Sequence, residues 1–580
     1  MKLELQKGSR SNALAVILFL IMAVFVIRLF YLQIIRHNYY VERASAEQVK
    51  RLTIPAKRGL IYALDGDNSP VPLVLNQTVY TVFADPYITT DDKKIVEVIK
   101  KVAGGNARPN LDKLLSYKDT RYQILATKVT RSQADKIKAE ELRGVGFQEE
   151  SQRVYPEGAL AAQTLGFLNY EGKGVYGVES ALDKRLAGED GLLQSVTDVS
   201  SVPLTVGDKN IDIPAKDGDN IVLSIDRNVQ SRVEQALVDG TKRTGAAKAS
   251  AVVMDPNTGK VMAMANYPTF NPQNTKDVKD ISVFNNNVVS VPYEPGSDIK
   301  TLTMAMGIDQ GVVTPESTYN NTDSIRVDDR VIGNAYLGET GIITFQHALN
   351  WSLNTGFVTI AQRLGDGNSI NRKARDTMYD YFYNKFKLGQ LTGIEVANEA
   401  PGVIISPDQQ EGNAVRYSNM AFGQGMDLTM IQVAAAFSSI VNGGKYYQPT
   451  VIDGIINSDG EYVKNNIKSP SIAISESAAN QTRQMVNVAR SIFRSAGDKP
   501  GYFIGGKTGT SQVIKNGVYS DDESVGTYLG FGGSKNKTNY VIMVQVSGDH
   551  QVLEGGLHAL PIFTDISNWM LDYLRVEPER

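Results

Sequence analysis

Pro295-Gly296-Ser297-Asp298-Ile299-Lys300 runs directly into a segment, KTLTMAMGIDQ over 300–310, that reads as a helix stopped by Gly311 in the position after its C-cap. A serine and a lysine three positions apart at a helix start lie on one face. The positive end of the helix also favours negative charge developing at the serine. A serine needs a base to act as a nucleophile. The chain holds only four histidines, His37, His347, His550 and His558, in no HExxH or similar spacing. Lysine is therefore the candidate base. Its amine ordinarily titrates at about 10.4, so burial or a neighbouring cation must make it neutral.

Two more patterns follow in order, Ser352-Leu353-Asn354 and Lys507-Thr508-Gly509-Thr510. S-x-x-K recurs at Ser534–Lys537, and S-x-N recurs from Ser369 and Ser534. The Ser534–Lys537 copy lies among glycines and asparagine with no helical pattern and reads as a solvated turn. Lys507 is the candidate second cation, and two lysines would give a locally positive site that attracts a carboxylate. The segment after Gly506 reads as a strand. At Gly509 a substrate backbone could lie close and pair as an added strand. Thr508 and Thr510 offer hydroxyls to a terminal carboxylate.

Working outward, Ala249–Met254 and Val261–Ala265 read as a hairpin around Asp255-Pro256-Asn257-Thr258-Gly259-Lys260. A strand over Ile221–Ile225 precedes a helix with Val229, Val233, Ala236 and Leu237 on one face. Tyr540–Val546 reads as a strand and Leu560–Leu574 as a closing helix. Strands, then helices, then strands and a helix predict an α+β domain over 221–580. Upstream, Thr78–Ala84 reads as a strand, and Lys93–Val102 and Ser132–Ala139 as polar helices. The polar stretch Asp208–Asn220 reads as a boundary.

At the other end, Ala13–Ile27 (ALAVILFLIMAVFVI) is apolar on every face. At 1.5 Å per residue this run spans about 22 Å, and extension to Ile35 gives about 34 Å, enough to cross a bilayer. Arg28 would then snorkel to the headgroups. The predicted organisation is a tail over 1–12, a transmembrane signal-anchor over 13–35, a pedestal over 36–220 and a catalytic domain over 221–580. Residues 36–57 read as a helical continuation of the anchor. Ala44-Ser45-Ala46 fits a cleavage site but lies well past the apolar run. Lys2, Lys7 and Arg10 before the span are matched by Arg36, Arg43, Lys50 and Arg51 after it, so charge alone does not orient it.

Composition narrows the chemistry. The 580 residues carry 60 Lys+Arg against 63 Asp+Glu, a net charge of −3, which argues against a basic nucleic-acid binder. There is no cysteine, which excludes disulfides, thiol nucleophiles and cysteine-ligated zinc. No metal site and no cofactor are expected.

The ordered trio resembles the penicillin-binding proteins and serine β-lactamases. The likeness extends to Gly245–Tyr267, Ala421–Gly425, Asn442-Gly443-Gly444 and Gly505–Gln512. Upstream, Arg58-Gly59-Leu60-Ile61-Tyr62 and Gly172–Gly191 resemble the pedestal of class B penicillin-binding proteins. No glycosyltransferase module precedes it, as in class B. The resemblance implies an elongated α/β pedestal and a transpeptidase domain with an antiparallel sheet flanked by helices, plus a helical subdomain. It implies a peptidoglycan D,D-transpeptidase, more like the division type than the elongation type. Ser297 would attack the penultimate D-Ala carbonyl of a stem peptide and Lys300 would take its proton. Ser352 would relay a proton to the leaving D-Ala, Asn354 would hold substrate amides, and Lys507 would support Ser352. Thr508, Gly509 and Thr510 would bind substrate, and the backbone N–H groups of Ser297 and Thr510 would form the oxyanion hole. Implied partners are D-Ala-D-Ala stem peptides, β-lactams, the membrane and a membrane-embedded SEDS-type glycosyltransferase. The implied location is the bacterial cell membrane, single-pass, with the bulk of the chain outside the cytoplasm.

Two positions depart from the family pattern. Asp298 follows the nucleophile where small or apolar residues are usual. At i+1 it should point about 100° away from Ser297 and be tolerated, whereas facing Lys300 it would keep that lysine protonated. Ala63 and Leu64 replace a charged pair before Asp65-Gly66. Other functions were weighed. Gly501–Thr508 also satisfies G-x-x-x-x-G-K-[ST], but a phosphate loop must open a helix, and here a strand entering an Asn516-Gly517 turn is expected. A D,D-carboxypeptidase would share the residues, and a β-lactam sensor or inactive scaffold would not need them all.

Overall fold

The structure is a computed structural model and describes residues 10–40, 49–196, 211–492, 497–515 and 517–579. Residues 1–9, the Ala44–Ala46 site, Asn516 and the start of the Asp208–Asn220 boundary lie outside them. The chain divides into two units. One holds Met1–Arg58 with Ala187–Gly218, and the other Gly59–Leu186 with Asp219–Arg580.

In the first unit, an α-helix over Arg10–Phe30 continues as a π-turn over Tyr31–Ile35. Asn12–Ile35, 24 residues with a mean hydropathy of 2.9, is long and apolar enough to cross a membrane. Its large side chains, such as Phe19 and Phe25, are exposed. The predicted helix over 36–57 holds at 37–40 and is corrected at Val49–Ile54. Val49–Ile54 is a strand that pairs antiparallel with Gly191–Val196, which in turn pairs with Ile211–Ile213. Val49, Thr53 and Ile54 are β-branched, and Pro55 disfavours helix at the residue before it.

In the second unit, seven strands form one sheet. Its order is Tyr462–Lys464, Ile452–Ile456, Asn220–Asp226, Ile61–Asp65, Ser69–Ala84 and Gln123–Thr130, with Val145–Val154 also on Ser69–Ala84. The pair of Asn220–Asp226 with Ile61–Asp65 is parallel. The sheet thus joins strands from both sides of the boundary proposed at residue 220. Ala63 and Leu64 are buried in it, which is why a charged pair would not suit this strand.

Asp226 ends its strand and caps the helix Arg227–Thr244, accepting from the N–H groups of Asn228 and Val229. The predicted stripe Val229, Val233, Ala236 and Leu237 is fully buried. Tyr573, on the closing helix Leu560–Tyr573, donates its hydroxyl to Asp226 at 2.9 Å.

The second sheet is antiparallel, in the order Val261–Tyr267, Lys248–Met254, Lys537–Ser547, Val518–Ser534 and Gly505–Lys515. Side chains alternate between its faces. Tyr540, Ile542 and Val544 pack with Val229, Phe563 and Ile566 on one side. Val541 and Met543 join the core built on Lys300–Asp309 and Met430–Val441 on the other. Every residue of Met430–Val441 is buried, so this helix shows no polar face. The architecture is α+β, with one N-terminal apolar helix.

Candidate active site

Three chain segments meet beside the edge strand Gly505–Lys515. The first is the nucleophile turn. Tyr293 and Leu428 exchange backbone hydrogen bonds at 2.9 Å, and Gly296 N–H donates to Gly423 O at 2.9 Å. Gly296 has φ +58, and a 3₁₀ turn over Gly296–Ile299 feeds the α-helix Lys300–Asp309. A side chain on Gly423 would start 1.8 Å from the carbonyl oxygen of Gly296. Two bare backbones are needed for this contact.

Lys300 is buried. Its Nζ donates to Ser352 O at 2.7 Å, Ser352 Oγ at 3.0 Å and Asn354 Oδ1 at 2.7 Å. An ammonium would serve all three acceptors, whereas a neutral amine has two N–H donors and a lone pair that can take the Ser352 hydroxyl proton. Ser352 Oγ donates in turn to Ser297 Oγ at 3.0 Å. Among the described residues Lys300 has no direct hydrogen bond to Ser297, and the hydroxyl of Ser352 stands between them. Ser352 has φ +56, a strained conformation for a residue with a side chain. Asn354 is fixed by its Nδ2, which donates to Gly333 O at 2.8 Å.

The third segment is the edge strand. Lys507, Gly509 and Ser511 face the buried side, and Thr508, Thr510 and Gln512 the other. Thr508 and Thr510 line a cavity of about 460 Å³ with Ser297, Lys300, Ser352 and Asn354. Lys507 Nζ donates to Thr508 O at 3.1 Å and has no hydrogen bond to Ser352 among the described residues. Thr510 Oγ1 accepts from Gly555 N–H at 3.2 Å. The segment 505–515 is a strand throughout, paired with Val518–Ser534, so the phosphate-loop pattern opens no helix.

The electrostatics follow from burial. Burial pushes the Lys300 amine well below its usual range, and Lys507 adds to the effect. Burial also lowers Lys507, to about 8, against the pull of Asp298. Beside the lysines, around which a locally positive site was expected, Asp521, Glu523 and Glu554 also line the cavity. No group of three His, Asp or Glu side chains that could hold a metal ion occurs among the described residues.

Comparison with known proteins bears on the whole chain. The penicillin-binding protein transpeptidase domain family matches residues 249–568, and the penicillin-binding protein dimerisation domain family matches 53–223. The stage V sporulation protein D of Bacillus subtilis is 30% identical over 98% of this chain and 87% of its own. The chain is a class B penicillin-binding protein. The peptidoglycan D,D-transpeptidase FtsI of Escherichia coli is 27% identical over 95% of this chain and 90% of its own. Penicillin-binding protein 3 of Mycobacterium tuberculosis, solved with aztreonam, is 25% identical with a TM-score of 0.66, over 91% of this chain and 98% of its own.

Asp298 sits in this penicillin-binding protein where sequence reasoning did not place it. It points away from Ser297, as expected, but into the interior and with no exposure. Its Oδ2 accepts from Thr527 Oγ1 at 2.7 Å. A side chain on Gly509 would start 2.2 Å from Thr527 Oγ1 and 2.8 Å from Asp298 Oδ2. The room at Gly509 is thus occupied, on the buried face, by the protein's own groups. The available signal was the acidic residue beside a nucleophile, but nothing in the spacing says which way it turns.

Gly423→Ala is expected to lower the benzylpenicillin acylation rate at least tenfold. At φ +94 and against Gly296 O, the added methyl must displace the nucleophile turn. A stopped-flow acylation rate equal to wild type would show that the turn absorbs it.

Proposed function

We propose that this class B penicillin-binding protein acylates Ser297 with the D-Ala-D-Ala end of a donor stem peptide and passes the acyl group to an acceptor amine. The reading is carried by the chain of contacts from Lys300 through Ser352 to Ser297. A neutral Lys300 amine accepts the proton of the Ser352 hydroxyl, which accepts that of Ser297 as its oxygen bonds the carbonyl carbon. On collapse of the tetrahedral intermediate, Ser352 returns the proton to the leaving D-Ala amine. The backbone N–H groups of Ser297 and Thr510 hold the oxyanion, and Thr508 and Thr510 take the terminal carboxylate. Gly505–Lys515 ends its sheet, so its free edge can pair with an extended peptide. β-Lactams acylate the same serine.

The exposed apolar helix supports a single membrane anchor with the catalytic unit outside the cytoplasm, beside a SEDS-type glycosyltransferase. The likeness to FtsI favours the division-type role. The test is intact-protein mass spectrometry after benzylpenicillin, with the adduct mapped to a peptide. A single adduct on the peptide holding Ser297 is expected. An adduct elsewhere overturns the assignment. Incubation with a D-Ala-D-Ala donor and an amine acceptor should give the cross-linked product, and release by water alone would make it a carboxypeptidase.

A further inference from the structure

Asp298 is a wholly buried carboxylate one residue from the proposed nucleophile, with a role that the steps above leave empty. Oδ2 takes the Thr527 hydroxyl, while Oδ1 has no partner among the described residues. It lies over Gly509, on the face of the Gly505–Lys515 strand from which Lys507 also projects, two residues away. Lys507 is only 4% exposed, and its hydrogen-bond acceptors are the carbonyl and hydroxyl of Thr508, neither of them charged. The carboxylate and the ammonium make no direct ion pair, but both are shut away from water, where charges act on one another over longer distances than at a surface.

The site needs its two lysines in opposite states. Lys300 must be neutral to accept a proton, and a charged Lys507 helps to keep it so. Burial works against the charge on both. Some anion must hold the proton on one of them, and Asp298 lies over the buried face of the strand that carries Lys507. Lys300 is turned to Ser352 and Asn354. We propose that Asp298 is a positioning residue that decides which of the two buried lysines carries the proton, holding it on Lys507 and so leaving Lys300 free to act as the base. This rests on the function proposed above.

The other groups facing Asp298 do not compete for this role. Tyr293, from the segment before the turn, and Tyr528, from Val518–Ser534, feel its charge, and burial pushes both phenols up, so they stay neutral near pH 7. Arg490 donates to the Tyr528 hydroxyl and ion-pairs with Asp498, so its charge is fixed. Burial lifts the Asp298 carboxyl to about 7, against the effects of Thr527 and Lys507. The Asp298–Lys507 couple therefore changes charge close to neutral pH.

The signs follow. As pH falls, Asp298 gains a proton but Lys507 keeps its own, so a loss on the acid side comes from Lys300 gaining a proton. As pH rises, Lys507 loses its proton, the field at Ser297 weakens and Lys300 no longer has a cation beside it. Acylation should therefore rise and fall across this window.

The test is the second-order rate of acylation by benzylpenicillin, on the full chain, from pH 5.5 to 10. The isosteric Asp298→Asn keeps an acceptor for Thr527 and removes the charge. Its alkaline limb should move down by a pH unit or more, a tenfold or greater loss near pH 8.5 with a smaller loss near neutral. Thr527→Val keeps both groups but removes the donor that favours the carboxylate, so its alkaline limb should move the same way by a smaller amount. Profiles that superimpose on wild type, or that fall by one factor at every pH, would overturn the inference. If Asp298→Asn does not fold, the alkaline limb of Thr527→Val decides alone. Mapping the wild-type adduct separates the two readings. An adduct on Ser297 with an unmoved Asp298→Asn profile sinks only the role of Asp298, whereas no adduct on Ser297 sinks the function itself.

Discussion

Ser297→Ala should form no covalent adduct with a fluorescent penicillin under conditions that label the wild-type chain to completion. The substitution removes one hydroxyl from the cavity and leaves the turn intact, because that turn is held by backbone contacts at Tyr293, Gly296, Leu428 and Gly423. The variant should fold and bind the antibiotic reversibly. The interesting competitor is Ser352, whose hydroxyl lies 3.0 Å from that of Ser297 and takes a bond from Lys300. Ser352 is held by its own strained backbone, and it too stands just before a helix, Asn354–Arg363, so a helix start does not by itself separate the two serines. Gel fluorescence with intact mass is the measurement. Residual labelling that maps to Ser352 would show that the nucleophile had been misassigned.

Lys300→Ala should lower the acylation rate by about 10²–10⁴, the usual range for loss of a positioned general base, while the initial binding of the antibiotic changes little. The expectation follows from burial, which pushes the Lys300 amine well below its usual range, and from its contact with the Ser352 hydroxyl. Removal also leaves Ser352 O, Ser352 Oγ and Asn354 Oδ1 without the donor they share, a cost of about 1–3 kcal/mol for each buried group left unpaired. Lys300→Met, which retains most of the volume, therefore belongs in the same experiment as a control for folding. A rate equal to wild type in either variant would remove Lys300 as the base.

Much of this was legible in the residues. Ser297 and Lys300 sit at a helix start, and the single K-T-G lies on a strand, so the local structure of two of the three candidate segments follows from periodicity and turn chemistry. What stayed hidden was contact across the fold. That Ser352 stands between Lys300 and Ser297 depends on a positive φ that no motif records. Asp298 points away from Ser297, as its place one residue on predicts, but a direction relative to a helix does not say whether solvent or the Thr527 hydroxyl lies there. The helix expected over 36–57 failed because the partner of Val49–Ile54 is Gly191–Val196, far along the chain. Strand pairing of that kind is set by a distant segment, and local propensity cannot register it.

The parallel pairing of Asn220–Asp226 with Ile61–Asp65 has a mechanical meaning. A load drawn along paired strands is borne in shear, by all the bonds of the ladder at once, rather than one bond at a time as in unzipping. Because Asn220–Asp226 also pairs with Ile452–Ile456, which lies in the stretch matched by the transpeptidase family, the two matched regions share one sheet within this unit.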